Sequence, residues 1–99
     1  MSKTIKSFKD KRTQQIAENK PVKNLDKAVQ KKVRSKIQVL DNITKLQELK
    51  IPASNKFERL WREYPNRYSI RINNQYRLCF DIEKKPELAL YNVEFTDYH

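Results

Sequence analysis

Residues 69–80 read Ser-Ile-Arg-Ile-Asn-Asn-Gln-Tyr-Arg-Leu-Cys-Phe, with a polar segment between two runs that alternate apolar and polar side chains. Such alternation is typical of a strand with one buried face, and two such runs around a short polar segment predict a hairpin. A loop over residues 73–75 would place Ile70 opposite Leu78 and Arg71 opposite Arg77. The apolar side chains would then share one face of the hairpin, and the two arginines the other.

The facing arginines are the first indication of function. Like charges directly opposite one another destabilise a sheet, so this pair suggests that an anion lies between them, and a phosphate is the natural occupant. The alternative is that both arginines extend into solvent or pair with Glu58, Glu94 or Asp97.

The rest of the chain divides into a helical half and a strand half. Apolar residues at three- and four-residue spacing predict a helix over about 25–41, and Asp10 is the expected N-cap of a shorter helix ending near Asn19. Strands are also predicted at about 57–61 and 88–95, with a short edge strand at 4–8 and a helical turn at 43–49. The sequence thus predicts one α+β domain over residues 1–99, with two N-terminal helices packed on a mainly antiparallel sheet of about four or five strands.

The chain contains no glycine. Tight turns often need a residue with positive φ, which glycine adopts without steric cost. Asparagine is one of the residues that tolerate this conformation best. We therefore expect four asparagines at the predicted turns to replace glycine: Asn55, Asn66, Asn73 and Asn74.

The charge distribution points to a polyanionic partner. The formal net charge is +10, and residues 1–36 hold twelve lysines or arginines against three acids. Neutralising phosphates and releasing their counterions would drive association with nucleic acid. Lys31 and Lys32, on the polar side of the long helix, are candidate RNA contacts, although a merely solvated helix face is the alternative.

Several classes of protein are not expected. No apolar run approaches the roughly 18 residues that span a bilayer, and residues 1–8 lack a signal-peptide pattern, so the default expectation is a cytoplasmic protein without a membrane partner. Cys79 lies in an apolar strand pattern and is expected in the core. His99 and Cys79, the only histidine and the only cysteine, lack metal-ligand spacing, so we expect neither a metal nor another cofactor.

The hairpin, taken together with the Asp97-Tyr98-His99 segment, resembles the HigB toxins of the RelE superfamily. Residues 5–8 and 52–60 look like the same family, so the resemblance covers nearly the whole chain. It implies a RelE-like fold and a toxin that cleaves mRNA, typically in the ribosomal A site. It also implies a cognate HigA-like antitoxin with a helix-turn-helix fold, through which the toxin would meet operator DNA only indirectly.

The sequence departs from the family ahead of the hairpin. Members often carry a glycine in the loop, where this chain has Ser54, and a Gly-Asp-Arg stretch before the hairpin, where residues 61–64 read Trp-Arg-Glu-Tyr. Tyr64 therefore stands where a family arginine is expected. Neighbouring cations could supply the charge, and an aromatic ring could stack on a base. The RNA-binding candidates in this region are Lys56, Arg59, Trp61, Arg62 and Tyr64.

The residues themselves suggest a metal-independent mechanism. RNA cleavage needs the 2′-hydroxyl deprotonated, the charge on the pentacoordinate phosphorus stabilised and the leaving oxygen protonated. Arg71 and Arg77 suit the phosphorus oxygens. His99, the side chain with a pKa nearest neutrality, would transfer a proton, Asp97 would orient it or accept a proton, and Tyr98 would stack on a base or bind phosphate. Which residue is base and which is acid stays open.

Two function classes remain. The first is a ribosome-dependent endoribonuclease whose basic helices hold rRNA while its sheet cuts mRNA. The second is a basic RNA-binding or ribosome-binding module on the same fold with weak cleavage or none, which the tyrosine at position 64 allows. A frayed tail is the corresponding alternative for residues 97–99.

Overall fold

The structure is a computed structural model that describes residues 3–60 and 66–97. Within these ranges, helices α1 (Lys11–Ala17) and α2 (Lys27–Asn42) lead into two short 3-10 helices, Leu46–Lys50 and Ala53–Asn55. The strands are β1 (Glu58–Arg59), β2 (Arg67–Arg71), β3 (Tyr76–Glu83) and β4 (Ala89–Asp97). They form an antiparallel sheet in sequential order. The predicted class, α+β with two helices ahead of an antiparallel sheet, is confirmed.

Both helices begin at an aspartate cap. The Asp10 carboxylate accepts a hydrogen bond from the backbone N–H of Thr13 at 2.8 Å, and Asp26 accepts one from Val29 at 3.3 Å. Each cap satisfies an N–H that has no partner inside the helix. Asp10 was the predicted cap, whereas α2 begins two residues later than its apolar pattern does, because Asp26 caps it there. No helix in the described part of the chain is long and apolar enough to cross a membrane.

The core lies between the two helices and one face of the sheet. The apolar stripe of α2 packs with Ile16 of α1 against buried side chains from β2, β3 and β4. Hydrophobic burial of this kind is the main stabilising contribution in a small fold. We call this side of the sheet the helix face. The buried residues at this contact include Val33, Ile37 and Leu40 from α2, and Ile70, Leu78, Phe80 and Phe95 from the sheet.

The segment ahead of α1 lies along β4. Ile5 and Phe8 form isolated parallel bridges with Leu90 and Val93, and the Lys6 N–H donates to the Leu90 carbonyl at 2.8 Å. The edge strand predicted at 4–8 is thus present as two bridges, so the first described residues add to the sheet beside its last strand.

The glycine-free turns use asparagine, but not at the predicted positions. Among the described residues, positive φ occurs at Asn19, Asn24, Lys56 and Asn92, so the expectation for Asn55, Asn73 and Asn74 was wrong. The expectation for Asn66 stays a prediction, because its φ depends on residue 65, which lies outside the described residues. Asn73 closes the hairpin loop with its side chain instead, as the Oδ1 atom accepts the N–H groups of residues 75 and 76. An asparagine side chain can shape a turn in this way without positive φ.

Asn55 has a structural role that the sequence did not reveal. It is 2% exposed, its Nδ2 atom donates to the carbonyls of Leu49 and Ile51 at 3.1 and 3.4 Å, and its Oδ1 atom accepts from Lys36. Burial, and secondly the charge of Lys32, lower the pKa of Lys36. Asn55 therefore fixes residues 49–56 to α2.

We expect Asn55→Ala to lower the free energy of unfolding by about 1–3 kcal/mol, because buried polar groups lose their partners. Urea denaturation followed by circular dichroism measures the change. The matched control is Asn42→Ala, whose side chain is exposed and makes one hydrogen bond, to the Gln38 carbonyl, and which should cost less than about 0.5 kcal/mol. Equal losses in the two variants would contradict the assigned role.

Candidate active site on the arginine face

The hairpin has the register that its loop length predicts. Ile70 lies opposite Leu78, and Arg71 lies opposite Arg77. Asn73 shapes the loop, and the N–H of Ile72 donates to the Tyr76 carbonyl at 2.9 Å. Side chains of adjacent strand residues point to opposite faces, so the two arginines lie on the side of the sheet away from the helices. We call this side the arginine face.

Arg71 is held in place by uncharged groups. Its Nε atom donates to the Asn73 carbonyl at 3.2 Å, and its Nη2 atom donates to the side chain of Asn74. Because neither partner carries a charge, both orient the guanidinium without neutralising it. Arg77 is half-buried beside it in β3, with Thr96 of β4 on its other flank.

A third arginine on this face was missed in the sequence. Arg67 is 1% exposed, and it pairs with Asp81 at 3.0 Å and with Glu94 at 2.6 Å. Burial alone would lower the pKa of Arg67, but the hydrogen bonds to the two carboxylates and their charges raise it overall. The signal was present in the sequence, because the register that pairs Arg71 with Arg77 also pairs Arg67 with Asp81.

Asp97 lies at the end of β4, opposite Tyr76. Tyr76 and Phe95 point to the helix face, where their ring centroids are 4.6 Å apart, so the alternation of β4 places the exposed Asp97 on the helix face too. The structure therefore does not bring the Asp97 side chain together with Arg71 and Arg77. The alternation of Val93 and Phe95 already contained this signal. Tyr98 and His99 lie outside the described residues.

The predicted RNA-binding residues are distributed over two sides of the molecule. Lys31 and Lys32 are exposed on α2, which packs on the helix face, so the structure does not bring them together with the arginine pair. Lys56 is exposed in a left-handed conformation with φ of 44°. Arg59, in β1, lies opposite Tyr68. Trp61, Arg62 and Tyr64 lie outside the described residues.

The arginine face can bind an oxyanion. Arg71 and Arg77 present two guanidinium groups from neighbouring strands, and such planar forks match the geometry of phosphate oxygens. The nearby carboxylates of Asp81 and Glu94 are ion-paired with Arg67. The site thus combines two facing guanidinium groups with acids that are engaged by a third arginine.

Comparison with known proteins identifies the family of this chain. Residues 6–99 match the family model described as the RelE-like toxin of the type II toxin-antitoxin system HigB. The chain is also 35% identical over 74 residues to Toxin HigB-1 of Vibrio cholerae serotype O1, an alignment that covers 74% of this chain and 78% of that toxin. These two matches show that the chain belongs to the HigB family of RelE-like toxins of type II toxin-antitoxin systems.

Proposed function

We propose that this toxin is a ribosome-dependent endoribonuclease that cleaves translated mRNA by metal-independent attack of a 2′-hydroxyl. The observation that carries the proposal is the pairing of Arg71 with Arg77 on the face of the sheet opposite the helices. The toxins of this family are generally endoribonucleases. RNA is therefore the expected ligand of the arginine pair, because each RNA linkage presents a phosphate. Acting on ribosomes would place the toxin in the cytoplasm.

The two arginines would bind the scissile phosphate and stabilise the charge that develops on it. Guanidinium groups that are already oriented act on that charge without reorganisation in the transition state. Arg71 is oriented by its loop, through Asn73 and Asn74. Arg77 lies in the middle of the sheet, between β2 and β4. Both therefore meet the requirement for pre-organisation.

The segment 97–99 would handle the protons. His99 would transfer a proton at neutral pH, Tyr98 would stack on a base or contact phosphate, and Asp97 would orient the imidazole or accept a proton. The Asp97 side chain lies on the helix face, at the C-terminal end of β4. Its carboxylate would therefore act on the phosphate around the end of this strand, from the edge of the sheet. No step requires a metal ion.

RNA outside the reaction centre would contact basic and aromatic side chains. Lys56, Arg59, Arg62, Trp61 and Tyr64 would contact mRNA, with Arg59 on the face where its strand partner Tyr68 lies. Lys31 and Lys32 would contact rRNA of the A site from α2. The toxin–antitoxin family implies a cognate antitoxin. We propose that this antitoxin is a HigA-like helix-turn-helix protein. The toxin would then be associated with operator DNA only indirectly, through the antitoxin.

One observation favours a second candidate function. The Asp97 side chain lies on the face opposite the arginine pair, as expected for a basic module that binds RNA or ribosomes but cleaves weakly or not at all. Such a module would still use the arginine pair to bind phosphate, so RNA binding alone does not separate the two functions. Cleavage does.

Mapping the 5′ ends of transcripts tests the proposal. Inducing the toxin without its antitoxin is expected to arrest growth and to produce discrete 5′ ends within translated regions, and both effects should fall in His99→Ala because a proton donor or acceptor is lost. Blocking translation initiation before the toxin is induced should abolish these new 5′ ends, because the proposed cleavage depends on translating ribosomes. Growth arrest without new 5′ ends, unchanged in His99→Ala, would instead support the binding module.

A further inference from the structure

The Glu94 carboxylate lies close enough to the arginine pair to affect its charge. Glu94 lies opposite Cys79, two residues along the strands from the pair of Arg77 and Thr96 and on the same face of the sheet. Glu94 and Arg77 are therefore diagonal neighbours on the arginine face, a separation of about 7–8 Å that long side chains can bridge. A carboxylate turned toward Arg77 would neutralise it and repel an incoming phosphate.

The Glu94 carboxylate is engaged elsewhere. Its Oε1 atom lies 2.6 Å from Nη2 of Arg67 and 3.5 Å from Nζ of Lys9. Arg67 belongs to β2 and Glu94 to β4, so the Arg67 side chain reaches across β3 to make this contact. Asp81 of β3 holds the Nη1 atom of the same guanidinium at 3.0 Å, which fixes its course over the strand.

We propose that Arg67 is a positioning residue that holds Glu94 away from Arg77, so that the Glu94 carboxylate does not compete with a phosphate for the arginine pair. The inference rests on the proposed function, because it assigns Arg67 a role at the same RNA site. Arg67 is suited to this role, since it is buried, stays charged at every physiological pH and presents a fork that binds two carboxylates at once. It does not itself touch RNA.

Arg67→Met tests the proposal by releasing Glu94. The probe is a single-stranded RNA with 2′-O-methyl groups, which cannot be cut by 2′-hydroxyl attack, and binding is measured by fluorescence anisotropy over a range of salt concentrations. Losing one phosphate contact should weaken binding about fivefold near 0.1 M salt and lower the salt slope by about 0.7, the value for one contact on a single strand. Arg67→Lys keeps a positive charge near Glu94 and should lose much less.

Two double variants separate positioning from net charge and from folding. Arg67→Met/Glu94→Gln and Arg67→Met/Asp81→Asn carry the same net charge, and each removes one of the two carboxylates that Arg67 held. Asp81 lies four residues from Arg77 along β3, about 13 Å at the usual strand rise, whereas Glu94 is its diagonal neighbour. We therefore expect the Glu94 double variant to regain the lost affinity and salt slope, and the Asp81 double variant to remain weak.

The outcomes are distinguishable. If both double variants bind RNA equally, the role of Arg67 is only structural or reflects net charge, and the inference is overturned. If Arg77→Ala leaves RNA binding unchanged, the phosphate site itself is wrong, and the proposed function fails first. Should Arg67→Met not fold, the two double variants are compared directly with the wild-type chain, because each leaves only one carboxylate without its arginine partner. Thermal unfolding is monitored for each variant, and a difference in RNA binding between the two folded double variants supports the positioning role.

Discussion

Replacing Arg77 with alanine is expected to reduce RNA cleavage by about 10²- to 10³-fold, the usual cost of removing one pre-oriented donor from a developing oxyanion. The fold should tolerate the change. Arg77 lies directly opposite Arg71, and removing one of two facing like charges relieves repulsion in the hairpin. We therefore expect the free energy of unfolding to change by less than about 1 kcal/mol.

Single-turnover cleavage of a reporter mRNA on purified ribosomes measures this effect. Lys23→Ala is the matched control for loss of one positive charge, since Lys23 is exposed in the loop between the helices, and its rate should stay within about twofold of wild type, as for a surface substitution away from the site. Arg77→Lys should recover only part of the rate, because an ammonium group cannot bind two oxygens in a plane. Wild-type cleavage by Arg77→Ala would remove the pair from the mechanism.

Replacing Phe95 with alanine should have the largest effect on stability, about 3–5 kcal/mol. Phe95 is 1% exposed. Its ring lies 4.6 Å from that of Tyr76, and the Arg12 guanidinium lies 4.8 Å from the ring centroid. Its N–H donates to the Thr13 hydroxyl at 2.9 Å, and its carbonyl accepts from Arg12 at 3.2 Å. The residue thus joins α1 to β4.

Equilibrium unfolding in urea is the direct measurement for Phe95→Ala. A small domain is stable by about 5–15 kcal/mol in total, so the variant should be partly unfolded at 37 °C if the toxin lies at the low end of that range. Val39→Ala serves as the control, because Val39 is 44% exposed on α2 and should lose less than about 0.5 kcal/mol. A small effect at Phe95 would mean that α1 is not needed to hold β4.

The hairpin could be predicted from sequence because its register follows from few residues. An odd loop between two alternating runs fixes both the pairing and the faces, and this gave the opposition of Arg71 and Arg77 correctly. Cys79 is buried, as the apolar run around it predicted, although the alternation places it on the arginine face. The long helix followed from its apolar spacing, and its cap at Asp26 shifted only the first residue.

Other features could not be predicted, because they depend on contacts between distant segments. The pairing of β3 with β4 shifts between Cys79 and Asp81, where Asn92 takes φ of 54° and donates to the Asp81 carboxylate. A bulge of this kind bends a strand, and no local pattern announces it. The positive φ at Lys56 is similar, since it follows the burial of Asn55 against α2.

The pairing of the first described residues with β4 has a consequence for biosynthesis. Ile5 bridges to Leu90, and Phe8 to Val93, so the edge of the sheet is completed by residues about 85 positions apart, and loop closure over such a span must precede the contact. β4 also supplies Thr96 beside Arg77. A nascent chain cannot assemble the arginine face until β4 has left the exit tunnel. Under the proposed function, the toxin would therefore acquire its complete phosphate-binding face only after β4 has emerged, and the antitoxin would be needed from that point onward.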